Sequence, residues 1–304
     1  MSDVNSKRAE GFSESDTVEV RIAANAGACF GVVRAIKLGN QALGKATSSP
    51  VVSLGPLIHN PKVVGDFETR GMRAIQDAAD IPTGSTVILR SHGVRKEIEG
   101  GLKERGMTLV DATCPLVKKP QRIATSLGEK GYFLVLVGDK KHPEVQGVLS
   151  YFGRPDFLVT YNPDDISQIP PTVERVAVLA QTTIEYRVFE AVVARCKERF
   201  SDVVGYNTIC DATSVRQREA EALARGADVV VVVGGRNSSN TLKLAKICRD
   251  HQPMTYLIEE MSEIDRAWFD GKRKIGVTGG ASTPMEFVDS VGDYIARLLG
   301  PASA

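Results

Sequence analysis

The segment DATCPLVKKPQRIA, residues 111–124, places Cys114 between a strand and a helix, and this junction occurs three times in the chain. It returns in AGACFGVVRAI, residues 26–36, around Cys29, and in TICDATSVRQREAEAL, residues 208–223, around Cys210. The three cysteines lie about one small domain apart, so they read as equivalent positions of a threefold repeat. After each cysteine comes a helix and then an apolar strand ending in glycine: VVSLG at Gly55, FLVLVG at Gly138 and DVVVVVG at Gly234. Four residues beyond each glycine stands a polar side chain, His59, His142 or Ser238. A further strand in each repeat also ends in polar groups: LRSHG delivers His92, LAQTT delivers Thr182 and Thr183, and VTGGAS delivers Ser282.

Outward from these junctions, apolar runs alternate with amphipathic helices. VEVRIAAN, PVVSLG, STVILRS, FLVLVG, VAVLAQ, DVVVVVGG and KIGVTGG read as strands. Continuous β-branched runs separated by helices specify an α/β protein with parallel sheets of βαβ units. The expected organisation is a flexible N-terminal tail over 1–16, a strand and first cysteine loop over 17–30 that packs with the third lobe, and three similar lobes over 31–113, 114–209 and 210–304. Ligands of such sheets bind beyond the carboxyl ends of the strands, where all nine loops fall. Three lobes around a pseudo-threefold axis would aim them at one cavity.

Composition narrows the function. At 304 residues, 42% hydrophobic and 25% charged, the chain is long enough for two or three cores and ordinary for a globular protein. A formal net charge of +1 gives no reason to expect nucleic acid as partner. No apolar run reaches the roughly 20 residues that span a bilayer, and the first sixteen residues lack a secretory core, so the expected location is cytoplasmic, with no membrane partner. Five scattered cysteines do not make a disulfide framework.

Widely spaced thiolates suit a cluster better than a structural zinc, whose ligands usually arrive in close pairs. Three cysteines on a 4Fe-4S cluster leave one iron without a protein ligand, open to act as a Lewis acid. Cys196 and Cys248 sit inside helical patterns and read as ordinary buried thiols. The polar loops look like anion cradles. Pro61 and Pro143 fit the first helical position, and NSSNTLKL puts hydroxyls and amides where another helix begins. Helix starts present unused N–H groups to a phosphate or diphosphate, and His59, His92, Ser238, Ser239, Asn240 and Ser282 add side-chain donors. Ser, Thr and Asn also serve simply as caps. Glu144, two positions beyond His142, is a candidate proton donor in a partly desolvated site, or a complement to a helix dipole. There is no P-loop and no GxGxxG fingerprint.

Taken together, AGACFGVVRAI, LIHNPKVV, SHGV, DATCPLVKK, HPEV, QTT, TICDATSVRQ, GGRNSSN and GVTGGASTP closely resemble the 4-hydroxy-3-methylbut-2-enyl diphosphate reductase family of the non-mevalonate isoprenoid pathway, from about residue 18 to 299. The resemblance implies a three-lobed trefoil and one 4Fe-4S cluster per chain on Cys29, Cys114 and Cys210. It implies diphosphate binding by His59, His92, His142, Ser238, Ser239, Asn240 and Ser282, with Glu144 as proton relay and Thr182 near the substrate hydroxyl. The implied reaction is a reductive dehydroxylation giving isopentenyl and dimethylallyl diphosphates, with ferredoxin or flavodoxin as electron donor.

The sequence departs from the family pattern at Ala28, where an aromatic residue is expected, and at Lys141, where glycine is expected. Rival readings are a quinolinate synthase-like dehydratase, which leaves the SSN loop unexplained, a cluster-bearing redox or iron sensor, and a sugar-phosphate binding protein with ordinary thiols.

Overall fold

A computed structural model describes residues 7, 8, 12, 18–45 and 49–300. The expected tail over 1–16 lies outside the described residues, apart from 7, 8 and 12. In chain order the elements begin with β1 (Lys7–Arg8), β2 (Glu19–Ile22), α1 (Phe30–Lys45), β3 (Val51–Leu54), α2 (Pro61–Thr69), β4 (Arg73–Ile75), β5 (Thr86–Leu89), α3 (Lys96–Glu104) and β6 (Thr108–Asp111). They continue with α4 (Pro115–Glu129), β7 (Phe133–Val137), α5 (Pro143–Phe152), β8 (Phe157–Thr160), β9 (Arg175–Ala180), α6 (Tyr186–Arg199) and β10 (Asp202–Tyr206). The last are α7 (Asp211–Gly226), β11 (Val229–Val233), α8 (Ser239–His251), β12 (Thr255–Ile258), β13 (Lys274–Gly279) and α9 (Met285–Leu299).

The chain divides into two compact units, one of Met1–Phe30, His59–Pro61 and Asp211–Ala304, the other of Gly31–Ile58 and Lys62–Cys210. The second unit contains two four-stranded sheets, ordered β4-β3-β5-β6 and β10-β9-β7-β8. The first contains a five-stranded sheet, β1-β2-β13-β11-β12. Every pairing is parallel, as expected of an α/β chain.

One pattern underlies all three sheets. Its central pair is β3-β5, β7-β9 or β11-β13; β4, β8 or β12 flanks the first member and β6, β10 or β2 the second. In the five-stranded sheet, therefore, the strand leading to Cys29 is supplied from the N-terminal part of the chain, by the pairing of β2 with β13. Parallel strands buried on both faces explain the composition of the central pair. All five valines of β11 are fully buried, each worth about 1.5–3 kcal/mol of apolar burial. Packing of α4 on α5 depends on Gly128, where an added Cβ would lie 2.3 Å from the Phe152 carbonyl oxygen. Among the described residues no helix is long and apolar enough to cross a membrane.

Candidate active site

Each cysteine follows the strand beside the central pair and is held by the same backbone bond. The Cys114 N–H donates to the Ser91 carbonyl at 3.0 Å, the Cys210 N–H to Thr182 at 2.9 Å and the Cys29 N–H to Ala281 at 3.0 Å. Ser91, Thr182 and Ala281 each stand two residues past the end of β5, β9 or β13. The cysteines are therefore equivalent in backbone position. The bonds also refine the register of the polar loops: Thr183, rather than Thr182, is the counterpart of His92 and Ser282.

Within the second unit these loops form a continuous run. His92 adjoins Ser91, and its ring meets that of His142 edge-on, with centroids 6.0 Å apart. His142 is the N-cap of α5, and its Nδ1 accepts the Glu144 N–H at 3.1 Å. A neutral ring in that role carries its proton on Nε2 and keeps that nitrogen as a donor. Glu144 is 2% exposed. Its two carboxylate oxygens accept the Thr182 N–H and the Thr182 hydroxyl, both at 2.7 Å. The Thr182 carbonyl then receives the Cys210 N–H. Thus His92, His142, Glu144 and Thr182 lie on one path whose ends are Cys114 and Cys210.

Gln181, which sequence reasoning passed over, supports this run. It is buried, accepts the Asp139 N–H at 3.1 Å and donates to the Thr183 hydroxyl at 3.1 Å. Its position inside LAQTT was the available signal. Gly93, next to His92, has φ +76°, a left-handed conformation that calls for glycine.

The first unit contains the remaining loops. The Ser282 hydroxyl donates to the His59 carbonyl at 2.9 Å, joining two of the predicted residues. Ser238 is the N-cap of α8, with Ser239 and Asn240 in its first turn. Arg236, just before them, is tied to Glu259 and Glu263. Asn240 is 5% exposed, and neither end of its amide has a hydrogen-bond partner. Such burial costs about 1–3 kcal/mol per unsatisfied group.

The thiols divide into two chemical groups. Cys196 and Cys248 are fully buried, and burial pushes their thiols up to about 11 and about 12 respectively. Cys29, Cys114 and Cys210 are half-buried and stand immediately before α1, α4 and α7. In the native apo protein we therefore expect iodoacetamide to reach these three, and Cys196 and Cys248 only after unfolding. Peptide mass spectrometry checks this; rapid native labelling of Cys248 would contradict the division.

The second unit thus brings two strand-end thiols and a buried carboxylate onto one run of loops, and the first unit has a strand-end thiol and, at a helix start, a buried amide. The LytB family model matches residues 20–296. The chain belongs to the LytB family. It is 43% identical to a Citrifermentans bemidjiense protein named 4-hydroxy-3-methylbut-2-enyl diphosphate reductase, over 92% of this chain and 98% of that one. A Pelobacter propionicus protein of the same name is 44% identical over 92% of this chain and 99% of its own length. A solved structure of (E)-4-hydroxy-3-methyl-but-2-enyl diphosphate reductase, described as the terminal enzyme of the non-mevalonate pathway, superposes with TM-score 0.68 at 40% identity, covering 90% of this chain and 98% of that one. The Plasmodium falciparum E-1-hydroxy-2-methyl-but-2-enyl-4-diphosphate reductase superposes with TM-score 0.86 at 26% identity, over 95% of this LytB chain and 90% of its own. The family resemblance read in the sequence motifs is thereby borne out.

Proposed function

We propose that this chain is a 4-hydroxy-3-methylbut-2-enyl diphosphate reductase, which replaces the allylic hydroxyl of its substrate by hydrogen to give isopentenyl and dimethylallyl diphosphates. Enzymes of the LytB family are iron-sulfur proteins. The residues present fit such a group: three half-buried thiols stand at helix starts, distinct from the two that burial makes inert. Among the described residues no group of three or more His, Cys, Asp or Glu side chains is placed to hold one metal ion. A cluster spreads its thiolates over separate irons. Cys29, Cys114 and Cys210 are the proposed ligands of one 4Fe-4S cluster, with one iron lacking a protein ligand. When bound, it supplies electrons and a Lewis acid.

The protein's own part is binding, orientation and proton delivery. Asn240, Ser238, Ser239 and Ser282, with His59, His92 and His142, are the proposed diphosphate ligands; the first two are buried at the start of α8, where the N–H groups and the helix dipole favour an anion. Remote binding energy from the diphosphate holds the reacting carbons in place. Thr182 orients Glu144 through two bonds, leaving the carboxyl group to pass a proton toward the leaving hydroxyl. Two electrons and two protons are consumed for each hydroxyl lost as water, so an external one-electron donor such as ferredoxin or flavodoxin is required.

The observation that carries this reading is the buried Glu144–Thr182 pair on the path that joins Cys114 to Cys210 through His92 and His142. The test is to give the anaerobic, cluster-loaded protein 4-hydroxy-3-methylbut-2-enyl diphosphate and a reduced viologen, then look for both C5 diphosphates. Formation of both is the expected result; inactivity of protein with an intact cluster would overturn the proposal.

A further inference from the structure

Two arginines have no part in the mechanism above, yet each grips a cysteine loop. Arg34 stands on α1, five residues after Cys29. Its two terminal nitrogens donate to the carbonyls of Asp111 and Thr113, each at 3.2 Å. These residues lead directly into Cys114. Arg216 stands on α7, six residues after Cys210. It is 7% exposed, and its Nη2 and Nε donate to the Gly27 carbonyl at 2.8 and 3.2 Å. Gly27 leads into Cys29.

The same device therefore occurs once in each compact unit: the helix after one cysteine reaches the loop of another. In both loops the cysteine N–H is already committed to Ala281 or Ser91. What remains is the Gly27 carbonyl in one loop and the Asp111 and Thr113 carbonyls in the other, each turned toward a guanidinium. A guanidinium suits them, since its fork meets adjacent acceptors and its charge persists at any working pH. The Cys210 loop is braced by polar side chains of its own. There the Thr208 hydroxyl bonds both the N–H and the carbonyl of Ala180, at 2.9 and 2.5 Å, and the Asn207 side chain accepts the Ile209 N–H at 3.0 Å.

We infer that Arg34 and Arg216 are positioning residues for the cluster ligands, each fixing the loop of one thiolate and placing a permanent positive charge within one or two peptides of it. The inference rests on the cluster reading above. It follows that the arginines govern two measurable properties. The loop geometry sets how tightly the cluster is held. The charge favours the more negative, reduced state and so raises the midpoint potential, since net charge around a cluster is one of its determinants.

The test compares wild type with Arg34→Gln, Arg34→Lys and Arg216→Lys after anaerobic reconstitution. Lys37→Gln, an exposed position on the same helix, is the control for surface charge. Iron and sulfide content, resistance to a chelator, and the midpoint potential from a redox titration followed by electron paramagnetic resonance are measured without substrate. Outer partners of metal ligands are typically worth roughly 10- to 100-fold in affinity, and we expect a loss in that range for Arg34→Gln together with a more negative potential. The two lysine variants keep the charge and lose the fork. They should retain the wild-type potential while yielding the cluster faster to chelator, and Lys37→Gln should match wild type in both. Arg34 is half-exposed, so Arg34→Gln decides the matter even if Arg216→Lys folds poorly. If wild type takes up a cluster and Arg34→Gln equals it in both properties, the arginine assignment is wrong. If wild type itself takes up none, the cluster reading fails and the inference fails with it.

Discussion

Replacing Cys114 by serine is expected to leave a folded protein that cannot retain its cluster. Cys114 is the N-cap of α4, with extended backbone at φ −59° and ψ 132°. Its N–H is held by the Ser91 carbonyl. Serine is among the preferred residues at an N-cap, so the helix start should be kept or strengthened. What is lost is the thiolate: a hydroxyl does not ionise near neutral pH and makes a poor iron ligand. Since partners that merely orient a ligand are worth roughly 10- to 100-fold in metal affinity, loss of the ligand itself should bring iron and labile sulfide close to background and abolish turnover. Cys248→Ala should retain the cluster, because Cys248 is buried on α8 facing α7, with its thiol 3.7 Å from the Ala220 carbonyl. Iron, sulfide and circular dichroism on both variants check the prediction. A full cluster in the serine variant would remove Cys114 from the ligand set.

Replacing Glu144 by glutamine is expected to slow turnover by roughly 10²- to 10⁴-fold, the usual worth of a positioned acid or base, while leaving substrate binding near wild type. Glutamine has the shape of glutamate and can keep both contacts. Its Oε1 accepts the Thr182 N–H, and its amide donates to the Thr182 hydroxyl, which rotates to accept. The side chain is buried, so a change of shape would disturb α5 and the loop after β9, whereas this substitution changes only the ability to carry a proton. The separation of kcat from the dissociation constant of the diphosphate is the decisive reading. An unchanged kcat would take Glu144 off the proton path, and an equal loss in binding would make it a structural residue.

The limits of sequence reading follow a physical line. The seven strands legible as apolar runs are β2, β3, β5, β7, β9, β11 and β13, and none of them is at the edge of its sheet. The six others among the described residues, β1, β4, β6, β8, β10 and β12, are all edge strands. An interior parallel strand is covered on both faces and by two neighbours, which demands a continuous run such as VVVVV in β11. An edge strand has one neighbour and tolerates exposure, as in TLVD of β6 or DVVGY of β10, and leaves little pattern.

The three cysteines behave similarly. Their repetition at strand-to-helix junctions was legible because the repeat is carried by local sequence, and the bonds to Ser91, Thr182 and Ala281 give that repetition a backbone meaning. Sequence alone determined the α/β class, the interior strands, the family, and which cysteines stand in loops, since all of these follow from local pattern and composition. Only the tertiary structure decided that Thr183 rather than Thr182 corresponds to His92 and that Thr182 secures both carboxylate oxygens of Glu144. It also decided that Arg34 and Arg216 reach loops 79 and 189 positions away. A side chain's partner across such a separation depends on which carbonyl the packed sheets bring opposite a helix, and no local periodicity encodes that.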